Sequence, residues 1–282
     1  MTQPSTQYIE TQVKIALVED LGGEVSISND VTAMLIPAEN QANAHIITRE
    51  DIILCGISWA KEAFKQIDNT IKQTWHYKDG DKIEANSVLV DLFGNARSLL
   101  TAERTALNFL QMLSATATTT HQYVQYLNGS STQLLDTRKT IPSFRLAQKY
   151  AVTCGGGTNH RIGLFDAYLI KENHIKACGS IEAAINKAKS LHPEIKVEVE
   201  VESLEELRTA IAAGPDIIML DNFSTELIHQ AVILNNKQCK LEVSGNITEE
   251  RLTELAKTGV DYVSTGAITK HVKAVDLSLL IK

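Results

Sequence analysis

The chain has 282 residues, 44% of them hydrophobic and 22% charged, a composition with enough apolar content for a sizeable core and unlike that of a disordered chain. Its 27 Lys and Arg residues are outnumbered by 34 acidic ones, giving a net charge of −7, which disfavours nucleic-acid binding unless positive charge is concentrated in one place. No apolar run reaches membrane-spanning length, residues 1–10 lack the apolar stretch of a signal peptide, and Cys55, Cys154, Cys178 and Cys239 form no C-x-x-C pair; the expectation is a soluble, cytoplasmic protein with four free thiols.

The length fits two domains or one large barrel. Residues 7–21 place Ile9, Val13, Leu17 and Leu21 on one helical face, and Gly22-Gly23 end that helix. From Ala42 to Val90, AHIITRED and SVLVDLFG read as strands, ISWAKEAFKQI as a helix and KDGDK (78–82) as a turn, which suggests a small α/β or β-sandwich domain. A long helix over about 98–127 follows, with Leu99, Ala106, Leu110 and Leu113 on its apolar face. Its middle, LSATATTT, is small and β-branched, which suits close helix packing, a domain junction, or both.

Beyond this helix, short apolar runs (QLLD, AYLIK, VEVEVE, IIMLD, LEVSG, YVSTG) alternate with helical segments such as SIEAAINKAKSL, SLEELRTAIAAG and one near residue 248. That rhythm implies parallel strands joined by right-handed crossovers. About six such units suit an α/β barrel, complete or not, better than an open sheet; period alone leaves a doubly wound sheet possible. The final VDLSLLIK (275–282) alternates like one more strand and is expected to return to the first domain.

In parallel α/β folds the active site lies at the C-terminal ends of the strands. Those ends carry Thr137-Arg138-Lys139, Lys171, Glu200, Asp221-Asn222, Ser244-Gly245-Asn246 and Thr265-Gly266-Ala267. Each alone could be the first solvated residue of a loop. Together they mark a site, because isolated buried charges are too costly to keep without a partner or ligand. Arg138, Lys139, His160, Arg161 and Lys171 form a cationic set suited to carboxylates and phosphates. Glu200 and Asp221 suit sugar hydroxyls, a phosphate-bound metal or a developing positive charge. The S-G-N and T-G-A turns suit a phosphate held by backbone N–H groups. The expected substrate therefore has phosphates, a hydroxylated sugar and further carboxylates.

Gly155-Gly156-Gly157 precedes Thr158-Asn159-His160-Arg161 without the ending of a P-loop or a dinucleotide fingerprint, and reads as a binding loop rather than a slack one. No H-E-x-x-H or C-x-x-C spacing suggests protein-held metal, and His174, three residues after Lys171, reads as a hydrogen-bonding loop residue.

Residues 134–175, LLDTRKTIPSFRLAQKYAVTCGGGTNHRIGLFDAYLIKENHI, closely resemble the core signature of the quinolinate phosphoribosyltransferases. The resemblance extends to ERTALNFLQMLSATAT (103–118), VEVEVESLEEL (197–207), IIMLDN (217–222), EVSGNI (242–247) and VSTGAIT (263–269), and so spans nearly the whole chain. It departs at Phe165 and at Ser114-Ala115, neither a charged site position.

The resemblance implies an α/β protein with an N-terminal α/β sandwich domain over 1–113, to which 275–282 returns, and an open α/β barrel of parallel strands over 114–274. It implies a homodimer, or an assembly of dimers, in which Arg104 is donated across the interface. Arg104, Arg138, His160, Arg161 and Lys171 would hold quinolinate, and Lys139 and Lys171 would face the pyrophosphate of phosphoribosyl pyrophosphate. Glu200 and Asp221 would take ribose hydroxyls, directly or through the Mg2+ carried with that substrate. Ser244, Gly245 and Asn246, with Thr265, Gly266 and Ala267, would take the 5′-phosphate, and Thr137 sits beside them. Lys139, Lys171, Glu200 and Asp221 are the expected catalytic residues. The alternatives are a paralogous pyrophosphorylase acting on another base and a non-catalytic barrel that senses a phosphorylated ligand.

Overall fold

The computed structural model describes residues 3–282. Thr6–Leu21 forms α1; Ser5 caps its start, Gly22 at φ 73° ends it, and Ile9, Val13, Leu17 and Leu21 are its buried stripe. Next come β1 (Gln41–Thr48), β2 (Ile52–Ile53), α2 (Ile57–Ile67), β3 (Lys72–Trp75), β4 (Lys82–Ile83), β5 (Val88–Asn95) and the 30-residue α3 (Ala96–Gln125). Then follow β6 (Gln133–Leu135), α4 (Arg145–Cys154), β7 (Tyr168–Ile170), α5 (Glu172–Cys178), α6 (Ile181–Leu191), β8 (Val197–Val201) and α7 (Leu204–Ala213). The chain closes with β9 (Ile217–Asp221), α8 (Thr225–Asn235), β10 (Lys240–Ser244), α9 (Glu249–Leu255), β11 (Tyr262–Ser264), α10 (Ala267–Lys270) and β12 (Leu277–Ile281). No helix among the described residues is long and apolar enough to cross a membrane.

The chain divides into two compact units. The first takes residues up to Thr120, Leu146–Gly156 and Val272–Lys282; the second takes His121–Arg145 and Gly157–His271. The boundary expected at 113/114 lies within the unbroken α3, whose residues up to Thr120 group with the first unit, as does most of α4. Hydrogen bonds explain both. Ser114 Oγ accepts from Cys55 N at 3.0 Å and Thr118 Oγ1 from Ile53 N at 2.9 Å, so the small hydroxylated stretch of α3 completes the backbone bonding of residues 53–55. On α4, the Tyr150 hydroxyl donates to Asp79 Oδ2 at 2.9 Å. The other oxygen of Asp79 accepts from Gly56 N and Ile57 N, both at 3.1 Å, and so caps α2 from a distance because Gly56 has no side chain to do so.

In the first unit a four-stranded antiparallel sheet runs β12-β1-β5-β3, beside the two-stranded β2-β4 pair. Ile46 pairs with Val90 and Ala44 with Leu92, all four buried, while the intervening His45–Asp91 pair turns to the other face. The C-terminal strand β12 joins this sheet along β1, with Ile46 opposite Leu279.

In the second unit six strands run β6-β11-β10-β9-β8-β7, all parallel. A doubly wound sheet would reverse direction in mid-order. Here β7 to β11 follow one another in chain order and β6 lies beyond β11. That order is the cyclic order of a barrel, opened between β6 and β7. Within the strands, Val197, Val199 and Val201 of β8, Ile218 and Leu220 of β9, and Leu241 and Val243 of β10 are buried on one face. Alternation sends Glu198, Glu200, Met219, Asp221, Glu242 and Ser244 to the other face, which is the barrel interior.

Candidate active site

The interior face opens into a cavity of ≈ 800 Å3, contained within the second unit. Thr137, Arg138 and Lys139 reach it from the loop after β6, and His160 and Arg161 from the segment after the three glycines. Lys171 follows β7, Glu200 lies on β8, and Asp221 ends β9. Ser244, Gly245 and Asn246 follow β10, and Thr265, Gly266 and Ala267 follow β11. Every residue expected at the site is therefore gathered here except Arg104, an exposed side chain on α3 in the first unit.

The loops are held from behind. Thr137 Oγ1 accepts from Lys139 N at 3.1 Å, and the Lys139 carbonyl accepts from Thr269 Oγ1 at 2.8 Å. Arg145 donates to Thr140 Oγ1 and to the Ile162 carbonyl, both at 3.1 Å, tying the Arg138 loop to the Arg161 loop. The segment after the glycines is anchored rather than slack. Thr158 forms a parallel bridge with Leu135, His160 N donates to Asp136 Oδ1 at 2.9 Å, and Asn159 Nδ2 donates to Asp136 Oδ2 at 2.6 Å. Gly155 itself answers to packing, since a Cβ there would lie 2.3 Å from the Ala117 carbonyl.

Charge is concentrated as the sequence suggested. The Nε of Arg138 is buried without a protein acceptor, a donor suited to an anionic ligand. Burial, and then the neighbouring Arg138, pull the Arg161 guanidinium below its ordinary value. Lys171 pairs with Glu200. Burial, and then Glu200, push the Asp221 carboxyl up, opposed by Lys171 and Lys139. His174 acts as a local hydrogen-bonding residue, its Nδ1 accepting from Lys171 N at 3.0 Å at the start of α5.

The two small turns have tight sterics. Gly245 sits at φ +97°, and a Cβ there would lie 2.3 Å from Asn222 Oδ1. Asn222 and Asn246, on either side of that contact, also take positive φ, 55° and 47°. A Cβ on Gly266 would press within 2.8 Å of the Lys139 side chain.

Asn222, placed with Asp221 at its strand end, donates from Nδ2 to Asp221 Oδ2 at 2.8 Å and orients it. Other residues of the barrel interior escaped the sequence reading. Lys270 and His271 add cationic capacity one turn beyond Gly266, a spacing that the T-G-A turn could have signalled. Glu198 and Glu242, inside the VEVEVE and LEVSG runs, are 3% and 0% exposed and lie inside the barrel. Strict alternation with Glu200 and Ser244 could have placed them there. The Nε2 of His160 lies 2.8 Å from Glu198 and 3.5 Å from Glu242. Burial, and then Glu198, push the Glu242 carboxyl up to about 8. Phe165 and its neighbour Leu164 are exposed and do not line this cavity.

Comparison with known proteins supplies the family context. Residues 30–114 match the family described as quinolinate phosphoribosyl transferase, N-terminal domain, and residues 116–280 match its C-terminal domain. A protein of Bacillus subtilis (strain 168) named probable nicotinate-nucleotide pyrophosphorylase [carboxylating] is 41% identical over 263 residues, 93% of this chain and 89% of the relative. A chloroplastic nicotinate-nucleotide pyrophosphorylase [carboxylating] of Arabidopsis thaliana is 38% identical, over 98% of this chain and 83% of its own. The solved nicotinate-nucleotide pyrophosphorylase of Francisella tularensis superposes with a TM-score of 0.95 at 53% identity, covering 99% of this chain and 98% of that one.

Proposed function

The chain belongs to the quinolinate phosphoribosyltransferase family, and from that premise we propose how its cavity carries out the family's reaction. The enzyme transfers the phosphoribosyl group of phosphoribosyl pyrophosphate to quinolinate with decarboxylation, giving nicotinate mononucleotide, pyrophosphate and CO2 for de novo NAD synthesis. One observation carries this reading: a single cavity gathers a cationic set, two carboxylates and two small turns, which match a dicarboxylate, a ribose and phosphates.

Arg138, His160, Arg161 and Lys171 hold the two carboxylates of quinolinate, with Arg138 offering its orphaned Nε–H. Lys139 and Lys171 face the pyrophosphate. Glu200 and Asp221 take ribose hydroxyls and favour the oxocarbenium-like transition state. The Ser244–Asn246 and Thr265–Ala267 turns take the 5′-phosphate. Magnesium enters as part of the second substrate, carried by its pyrophosphate. Arg104 completes the site of a partner subunit in a homodimer or an assembly of dimers, consistent with its exposure on α3. The four cysteines are all free, which accords with a reducing cytoplasm.

The pyridine nitrogen attacks the anomeric carbon with its own lone pair as the bond to pyrophosphate breaks, so no general base is needed. When the adjacent carboxylate departs as CO2, the electron pair of the broken C–C bond stays on the ring carbon, stabilised by the positive pyridinium nitrogen beside it, and a proton from water then takes that pair. Catalysis is therefore mostly positioning and electrostatics.

Incubating the protein with quinolinate, phosphoribosyl pyrophosphate and Mg2+ is expected to release nicotinate mononucleotide and CO2, while nicotinate, lacking the second carboxylate, gives no product. Product from nicotinate, or none from quinolinate with folded protein, would move the assignment to another base. For the shared site, Arg104→Ala subunits mixed with Lys139→Ala subunits are expected to recover activity. Verified mixed dimers that stay inactive would refute the donation of Arg104.

A further inference from the structure

Inside the barrel two glutamates, of which Glu242 lines the cavity, meet one histidine, and the reaction as described gives the glutamates no task. The backbone of His160 is anchored by its amide, which donates to Asp136 Oδ1 at 2.9 Å, and its ring Nε2 lies 2.8 Å from Glu198 Oε2. Glu242 Oε2 lies 3.5 Å from the same nitrogen. Glu198 projects from β8, opposite Ile217 of β9, and Glu242 from β10, opposite Met219 of β9, so the sheet register fixes their separation. We propose that Glu198 is a positioning residue, which through Nε2 holds His160 as a doubly protonated imidazolium aimed at the substrate carboxylate, with Glu242 as the neutral member of the acid pair.

Charge explains why such a device is needed. Arg138, Arg161 and Lys171 line the same cavity as His160 and disfavour another cation there. A neutral imidazole with Nε2–H turned to Glu198 would present a lone pair at Nδ1, which repels a carboxylate. One ionised glutamate behind the ring offsets the cations and makes both ring nitrogens donors. A second ionised glutamate in the core would face the first, and Arg161 is the further cation that interacts with Glu198. The upward displacement of the Glu242 carboxyl, caused by burial and then by Glu198, agrees with its staying protonated. The three groups lie within 4.8 Å of one another and so resemble a metal site. The 2.8 Å approach of Nε2 to Glu198, together with the upward displacement of the third group, Glu242, favours a shared proton over an ion.

This inference rests on the proposed role of His160 as a quinolinate ligand, and the experiment separates the two. Ring 15N spectra of histidine-labelled protein at neutral pH, with His160→Gln giving the assignment, are expected to show both His160 nitrogens protonated in the wild type. In Glu198→Gln one nitrogen becomes unprotonated, and KM for quinolinate rises about 10-fold or more, as when a charge-assisted hydrogen bond is weakened. KM for phosphoribosyl pyrophosphate shifts less than about 3-fold, a split that general loosening of the barrel would not produce. Glu242→Gln, which exchanges a neutral acid for a neutral amide, raises the quinolinate KM by less than Glu198→Gln does. A neutral His160 in the wild type, equal rises in both KM values, a reversed order of the two variants, or one equivalent of tightly bound metal in the purified protein would each overturn the proposal. The wild-type spectrum decides even if Glu198→Gln fails to fold. His160→Gln with an unchanged quinolinate KM would instead refute the role of His160 itself.

Discussion

In the antiparallel sheet of the first unit, alternation buries Ala44, Ile46, Val90 and Leu92 and turns Asp91 outward, where its carboxylate meets His76 at 2.8 Å and Lys282 at 3.8 Å. In the parallel sheet of the second unit the same alternation sends the ionisable half inward: Glu200 and Asp221 face the cavity, while Glu198 and Glu242 are almost wholly buried. The difference follows from layering. A sheet with one wet face can leave its charges in water, whereas helices cover the outside of a parallel barrel, and only the interior remains for polar chemistry. Charged groups in the first sheet are therefore expected to matter little, and those in the second to decide activity.

That contrast can be broken by substitution. Arg138→Ala or Arg161→Ala is expected to cost about 2–5 kcal/mol in transition-state binding, read as kcat/KM, with the fold intact. Near-normal kcat/KM in both variants would sink the assignment of the cationic set. Leu17→Ala, in the fully buried stripe of α1, does the opposite: about 2–5 kcal/mol is lost from stability in denaturant titration, while kcat/KM of the folded fraction stays unchanged. Gly245→Ala forces a side chain into positive φ and against Asn222; it is expected to add about 1–2 kcal/mol of strain and to raise KM for phosphoribosyl pyrophosphate rather than for quinolinate.

Two smaller effects sharpen the comparison. The folded-state value of Glu242, about 8, lies above the ordinary 4.5, so its contribution to stability is complete below about pH 4.5 and is lost as pH rises through 8. Thermal melts across that window are expected to show the decline, and Glu242→Gln to flatten it; equal slopes in the two proteins would mean that Glu242 does not hold the proton. Asp91→Asn, on the wet face of the first sheet, is expected to change stability by about 0–1 kcal/mol with no effect on kcat/KM.

The sequence alone determined the elements and the ligand class. The apolar stripe of α1, the span of α2 and the six parallel strands could be read from periodicity, because each depends on which residues repeat at 3.6 or 2 positions. The cationic set and the small turns could be read as well, because they sit at strand ends, where the fold class itself puts chemistry. Only the tertiary structure decided where the units divide and what stands behind the site. No periodicity reveals that Ser114 and Thr118 complete the bonding of residues 53–55, or that Tyr150 reaches Asp79, since those partners lie far away in the chain. Glu198 looks like any alternating strand residue until the register sets it two strands from Glu242 and against His160. The physical reason is locality: helix and strand propensities act between near neighbours, whereas the proximity of two buried carboxylates and one imidazole is settled by the closing of a sheet.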